Sequence, residues 1–247
     1  MGEVVLALLE VVKLSKRFGQ IVVADDINLE LDVGECVGVI GPNGAGKSSL
    51  FGMISGILKP DSGNIRLNGE DITFLSTSKR ARLGIGLAFQ IPKPFAGLTV
   101  YENVFAAASF GGQMSAAKAR SKSLEVLERT DLAPIGNALA GSLTLLNRKR
   151  LELAKALALN ARLLMLDEIG AGLTEREVMR LVETIAGLKS EYAIIWIEHI
   201  AHALKAVADR IVVLDFGRKL LDSHPDEVMN STVVKKIYMG LGVEEHH

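Results

Sequence analysis

Cysteine is nearly absent from this 247-residue sequence: Cys36 is the only one. No internal disulfide can form, and a reducing compartment is the natural setting. An excess of one charge is missing too. Lysine and arginine total 28 against 29 acidic residues, a net charge of -1, so there is no electrostatic footprint for nucleic acid and no nucleic-acid partner is expected. No apolar run approaches the roughly 18 to 20 residues needed to cross a bilayer. The start, Met1-Gly2-Glu3, lacks a basic region ahead of an apolar one, and a cytosolic chain is expected. Internal repeats and low-complexity linkers are lacking as well. What remains is 49% hydrophobic and 23% charged. That composition can bury a sizeable core, excludes a disordered chain, and suits one large α/β domain or two intimate lobes. Cys36 lies inside an apolar run, where packing is its expected role.

Against that background stands Gly41-Pro42-Asn43-Gly44-Ala45-Gly46-Lys47-Ser48, between the apolar run Cys36 to Ile40 and a helix-like stretch from Ser49. It reads as a phosphate-binding loop. Glycines let the backbone wrap closely around an anion with amide N–H groups pointing inward, and the following helix adds its positive end. Gly41, Asn43, Gly44, Ala45, Gly46, Lys47, Ser48 and Ser49 are the expected nucleotide contacts. Lys47 is placed for the outer phosphates and Ser48 for the Mg²⁺ that bridges them. The implied ligand is a nucleoside triphosphate.

The surrounding chain changes texture in three stages. Residues 4 to 40 alternate β-like runs (Val4 to Leu14, Ala24 to Leu31, Cys36 to Ile40) with turn signals, and Gly63 to Gly69 has a hairpin pattern. From Thr99 to Asn160 an alanine- and leucine-rich helical pattern takes over, opened by the capping box Thr99-Val100-Tyr101-Glu102 and broken at Asp131 to Pro134. Strand and helix then alternate: Leu163 to Leu166, a helix from Glu175, Ala193 to Ile197, a helix from Ala201, Ile211 to Leu214. Such alternation predicts parallel strands with crossover helices.

The apolar run Leu163-Leu164-Met165-Leu166 ends in Asp167-Glu168, which delivers carboxylates from a buried strand to the sheet edge where ligands bind. Asp167 is expected to hold Mg²⁺, mostly through its water shell, and Glu168 to polarise the water that attacks the γ-phosphate. The alternative is that the pair simply caps the next helix.

In these motifs and their order the chain resembles the ATP-binding cassette (ABC) ATPases, across almost its whole length. The resemblance implies a P-loop NTPase fold: a parallel-sheet RecA-like core with an antiparallel β subdomain, about 1–95 and 160–247, and a helical insert, about 96–159. It implies ATP and Mg²⁺ as ligands. It places Phe18 where the family stacks an aromatic ring on adenine, by a planar, cation-free contact. Gln90, in Leu87-Ala88-Phe89-Gln90, matches the glutamine that reaches Mg²⁺ and the water while its loop touches the membrane partner. His199 matches the switch histidine on the γ-phosphate, and Glu198 is expected at the surface or behind the site.

The family's Leu-Ser-Gly-Gly-Gln signature is replaced by Leu143-Thr144-Leu145-Leu146-Asn147. Thr144 stands in for the hydroxyl that meets ATP held by the opposite subunit, while Leu145 and Leu146 add bulk where phosphate approaches. Arg148, Lys149 and Arg150 follow as an expected solvated helix face, or as compensating positive charge. Ile169 replaces the usual Pro, and Thr174 stands where Asp is common. Within the family the chain is most similar to ATPase subunits of importers for branched-chain and other small amino acids. The cues are Gly84 to Gln90, Leu98 to Val104, Ala171-Gly172-Leu173-Thr174 and the ending Val234 to Gly240. Amide or urea importers and lipopolysaccharide exporter ATPases are similar too. The expected partners are membrane permease subunits, a second ATPase subunit and, indirectly, a solute-binding protein, at the cytoplasmic face of the cell membrane.

Overall fold

The computed structural model describes residues 7–239. The expected strand residues Val4 to Leu6 and the chain after Met239 lie outside that range. In chain order the elements are β1 (Leu9–Phe18), β2 (Ile21–Leu31), β3 (Cys36–Ile40), α1 (Lys47–Ser55), β4 (Ser62–Leu67), β5 (Glu70–Asp71), α2 (Thr77–Arg82), β6 (Ile85–Ala88), α3 (Val100–Ala106), α4 (Ala116–Arg129), α5 (Leu145–Ala158), β7 (Leu163–Asp167), α6 (Glu175–Leu188), β8 (Ala193–Ile197), α7 (Ala201–Val207), β9 (Arg210–Asp215), β10 (Arg218–Ser223), α8 (Pro225–Asn230) and α9 (Thr232–Met239). A π-helical turn, Ala107–Gly111, continues α3.

Six strands form the main sheet in the order β10-β9-β3-β8-β7-β6. β9, β3, β8, β7 and β6 run parallel, and β10 closes one edge antiparallel to β9. Parallel strands covered on both faces read as unbroken apolar runs, and β3, β7 and β8 do so. Alternate residues feed two separate cores. Leu164, Leu166, Ile194 and Trp196 pack with the helices α3 to α7. Leu163, Met165, Ile195 and Ile197 pack with α1 and the second sheet. Cys36 is fully buried, and that burial pushes its thiol up to about 12, which leaves it an inert packing group.

The second sheet is antiparallel, ordered β2-β1-β4-β5. β1 is longer than the apolar pattern predicts, running on through Ser15, Lys16 and Arg17. It is held on both sides by β2 and β4, with bulges that let polar residues remain paired. The turn Asn68-Gly69 joins β4 to β5, as the Gly63 to Gly69 pattern predicts.

The helices between β6 and β7 start and stop where local chemistry dictates. Thr99 Oγ1 accepts from the Glu102 amide at 3.1 Å while Glu102 Oε2 accepts from the Thr99 amide at 2.7 Å, a complete capping box for α3. Asp131, with φ of 55°, turns the chain off the end of α4. Among the described residues no helix is long and apolar enough to cross a membrane.

Candidate functional site

Strand register brings the chemistry together. Ile197 pairs with Val39 on one side and Asp167 on the other, so the C-terminal ends of β3, β7 and β8 lie level. The segments leaving these strands therefore converge: the Gly-rich loop after β3, Glu168 after β7, and Glu198 with His199 after β8. Ligands bind at this edge of such sheets.

The loop after β3 is shaped by backbone. Gly46 caps α1 with φ of 101° and no side-chain cap. A Cβ there would stand 2.2 Å from the Val23 carbonyl oxygen, so only glycine fits. Among the described residues, the amides of Gly44, Gly46, Lys47, Ser48 and Ser49 donate to no protein acceptor. They edge a cavity of about 180 Å³ lined also by Val23, Asn43, Ala45 and Glu168. Lys47 is 6% exposed and donates to the carbonyls of Gly41 (2.7 Å) and Pro42 (3.1 Å). Burial pulls its pKa down, against the opposing pull of Glu168 and Asp167. Open amides and a lysine at the start of a helix fit the phosphates of a nucleotide.

Across the cavity mouth, Glu168 is held from both sides. Gln90 Nε2 donates to its Oε2 at 2.5 Å, and His199 Nε2 lies 2.9 Å from its Oε1, where an N–H donates to the carboxylate. The backbone of Glu168 is left-handed, φ 43°. Its amide donates to Ile197 O at 2.8 Å, and its carbonyl accepts from the Ala171 amide at 3.1 Å. Asp167, at the end of β7, accepts no protein hydrogen bond among the described residues. Burial and then the Glu168 charge raise its pKa. A half-buried carboxylate without a donor, an exposed serine side chain at the head of α1 and the side-chain amide of Gln90 are hard-oxygen donors of the kind suited to Mg²⁺ that keeps several waters. Among the described residues no group of three or more His, Cys, Asp or Glu forms a protein-only metal cluster.

Two expected contacts lie apart from this cavity. Phe18 sits at the β1–β2 hairpin tip, 51% exposed, so it is not a core aromatic. Its ring is not cation-free: Lys16 Nζ lies 5.4 Å from the centroid, because alternate positions on that strand face the same side. Thr144 caps α5, its Oγ1 accepting from the Asn147 amide at 3.4 Å. Leu145 is 41% exposed, and its Cδ2 stands 3.2 Å from where a Cβ on Gly172 would be.

Burial decides two expectations. Glu198 is 1% exposed, bracketing the Gly170 amide (3.1 Å) and the His199 amide (3.2 Å), and burial raises its pKa. Of the two expected places, the surface is excluded and the one behind the site fits. Lys149 and Arg150 are 2% and 8% exposed, so the Arg-Lys-Arg run is no solvated face. Arg150 turns inward to Asp131 at 2.7 Å, and Lys149 reaches main-chain carbonyls. Val23, from β2, is a further cavity residue that no local sequence signal marks.

A glycine-rich loop after a central parallel strand, with paired acids ending a nearby strand, defines a P-loop nucleotide-binding protein. Residues 24–171 match the family model described as ABC transporter. The chain is 34% identical to the high-affinity branched-chain amino acid transport ATP-binding protein BraF of Pseudomonas aeruginosa, over 94% of this chain and 98% of that one. It is 32% identical to the lipopolysaccharide export system ATP-binding protein LptB of Haemophilus influenzae, over 95% and 98%. Among solved structures, the ADP conformation of the ATP-binding cassette MJ1267 superposes with a TM-score of 0.86 at 25% identity, over 95% of this chain and 99% of that one. CbiO1 from Clostridium perfringens superposes at 0.82 with 27% identity, over 95% and 96%. The chain belongs to the ABC transporter family and is an ATPase of that family.

Proposed function

We propose that this chain is the ATP-hydrolysing subunit of a membrane importer for branched-chain or other small amino acids or amides. One observation carries the catalytic part: a carboxylate, Glu168, gripped by Gln90 and His199 at the mouth of a cavity edged by open amides. The amides of residues 44 and 46–49 bind the ATP phosphates, and Lys47 exchanges its hold on the Gly41 and Pro42 carbonyls for the outer phosphate oxygens. Ser48, Asp167 and Gln90 are the residues that would hold Mg²⁺, and the chemistry it would supply there is charge neutralisation at the phosphates. Glu168 accepts a proton from the attacking water, and His199 contacts the γ-phosphate while orienting that carboxylate. Phe18 flanks the adenine. Thr144 faces the ATP of a second ATPase subunit, so closure of the pair on ATP and reopening after hydrolysis drive the permease. In this reading the chain is one cassette with a core, about 1–95 and 160–247, and a helical lobe, about 96–159. It works at the cytoplasmic face of the cell membrane with permease subunits and, through them, a solute-binding protein.

The relatives named for branched-chain amino acid transport support a small amino acid as the solute, while the lipopolysaccharide export relatives are nearly as similar. Steady-state ATPase assays and calorimetry test the chemistry: Glu168→Gln is expected to lower turnover by roughly 10²- to 10⁴-fold while ATP binding persists. Unchanged turnover removes Glu168 from its role. Proteoliposomes holding the cognate permease test the solute. ATP-dependent uptake of leucine or a small amide is expected, and outward lipid movement without uptake defeats the import reading.

A second reading has its own observation. Leu145 and Leu146 stand where the family has glycines, and Leu145 is exposed at the head of α5. They suit a regulatory subunit that binds ATP, hydrolyses little and pairs with an intact cassette. Brisk ATPase activity of the purified chain alone eliminates it.

A further inference from the structure

Lys149 is the internal cation that the proposed chemistry leaves unused. It projects from the second turn of α5 and is 2% exposed, yet it forms no direct ion pair among the described residues. Its ammonium donates instead to two main-chain carbonyls, those of Gln90 at 2.5 Å and Glu168 at 3.3 Å. These are the two residues whose side chains touch each other. Burial pulls its pKa down, against the opposing pull of four carboxylates, Glu198, Asp167, Glu168 and Glu152. One side chain of the helical insert thus spans both the loop after β6 and the end of β7.

The backbone of Glu168 explains why such a tether matters. A non-glycine residue at φ 43° is strained and persists only where its surroundings over-determine it. Three bonds do so here: the amide of Glu168 to Ile197 O, and its carbonyl to the Ala171 amide and the Lys149 ammonium. The first two come from the local strand and turn. Only the third arrives from another lobe, and it fixes the Gln90 backbone in the same grip.

We propose that Lys149 is a positioning residue for Glu168: its ammonium, bridging the carbonyls of Gln90 and Glu168, holds the carboxylate in its working pose and makes that pose depend on where α5 sits. The inference rests on Glu168 acting on the attacking water. It adds a link between the helical insert and the reacting end of the sheet that passes through main-chain atoms.

The test compares Lys149→Met, Lys149→Arg and Glu168→Gln, singly and as the Met/Gln double variant, by ATPase kinetics and Mg-ATP calorimetry. Met keeps the stem and removes the donors. It is expected to lower kcat by about 10- to 100-fold with ATP affinity within about threefold, a split that a loosened fold would not give. Lys149→Arg, whose fork can span two carbonyls, is expected to recover most of kcat. In the Glu168→Gln background Lys149→Met is expected to cost about twofold or less, because both changes act through one carboxylate. Full kcat in Lys149→Met, or a loss that persists in the double variant, overturns the proposal while leaving the role of Glu168 intact. Full turnover in Glu168→Gln fails the underlying reading first. If Lys149→Met does not fold, Lys149→Gln takes its place under the same criteria.

Discussion

The heads of α1 and α5 face the same physical problem and solve it in opposite ways. Each helix begins with amides that its own turns cannot satisfy, at the positive end of a dipole. At α1 the cap is a left-handed glycine, no side chain answers the amides, and the chain edges a cavity. At α5 the cap is Thr144 in an extended conformation, and its own hydroxyl accepts from the Asn147 amide. The first helix leaves donors open that only a ligand can satisfy. The second quiets part of its head with its own side chain and covers the approach with Leu145, which leans on Gly172. Openness toward phosphate is therefore a property of the backbone at α1, and a property of side chains that could be exchanged at α5.

The largest effect expected from breaking this contrast is at Gly46. Gly46→Ala forces a Cβ to within 2.2 Å of the Val23 carbonyl at φ of 101°. The loop must shift or the fold must weaken, at a cost of about 3 kcal/mol or more. Thermal unfolding with and without Mg-ATP reads both outcomes. A variant as stable as the parent that is still stabilised by Mg-ATP would mean the loop is not shaped by that close approach.

The other end of α1 sharpens the comparison. Arg80, 1% exposed, donates to the carbonyls of Met53 (2.6 Å), Ile54 (2.7 Å), Thr73 (2.7 Å) and Leu75 (3.1 Å). Burial lowers its pKa to about 10, so it stays charged at neutral pH. A cation locked onto the last carbonyls favours the helix dipole and anchors the end opposite the phosphate loop. Arg80→Met keeps the stem but strands those carbonyls, and a loss of about 2 to 4 kcal/mol is expected in chemical unfolding. A loss below about 1 kcal/mol would show that water takes over the guanidinium's place.

The legibility of this site in the sequence divides along the same line. The loop at 41–48 and the strand-end pair Asp167-Glu168 are legible because their chemistry is contiguous and flanked by apolar strands, whereas His199 is marked only by the family resemblance. Parallel strands and crossover helices are legible from alternation alone. Lys149, Glu198 and Arg80 are not, because their partners are main-chain atoms far along the chain: the carbonyls of Gln90 and Glu168, the amide of Gly170, the carbonyls of Met53 and Ile54. Backbone ligands carry no residue identity, so a charged side chain that will be buried against them reads as one bound for solvent. Arg148-Lys149-Arg150 shows the consequence: a run that looks like a solvated face sends two of its three charges inward.

The smallest effect belongs to the α5 cap, and it is the one that separates the two helix heads most cleanly. Thr144→Ala removes a hydroxyl from one amide at an exposed position and is expected to cost about 1 kcal/mol. Because Thr144 lies outside the cavity of its own chain, Mg-ATP affinity of the isolated chain should stay within about twofold of the parent. A large fall in that affinity would place α5 beside the nucleotide bound by the same chain. The two heads would then serve one site, and the open glycine cap and the closed threonine cap would be parts of a single cradle instead of two separate surfaces.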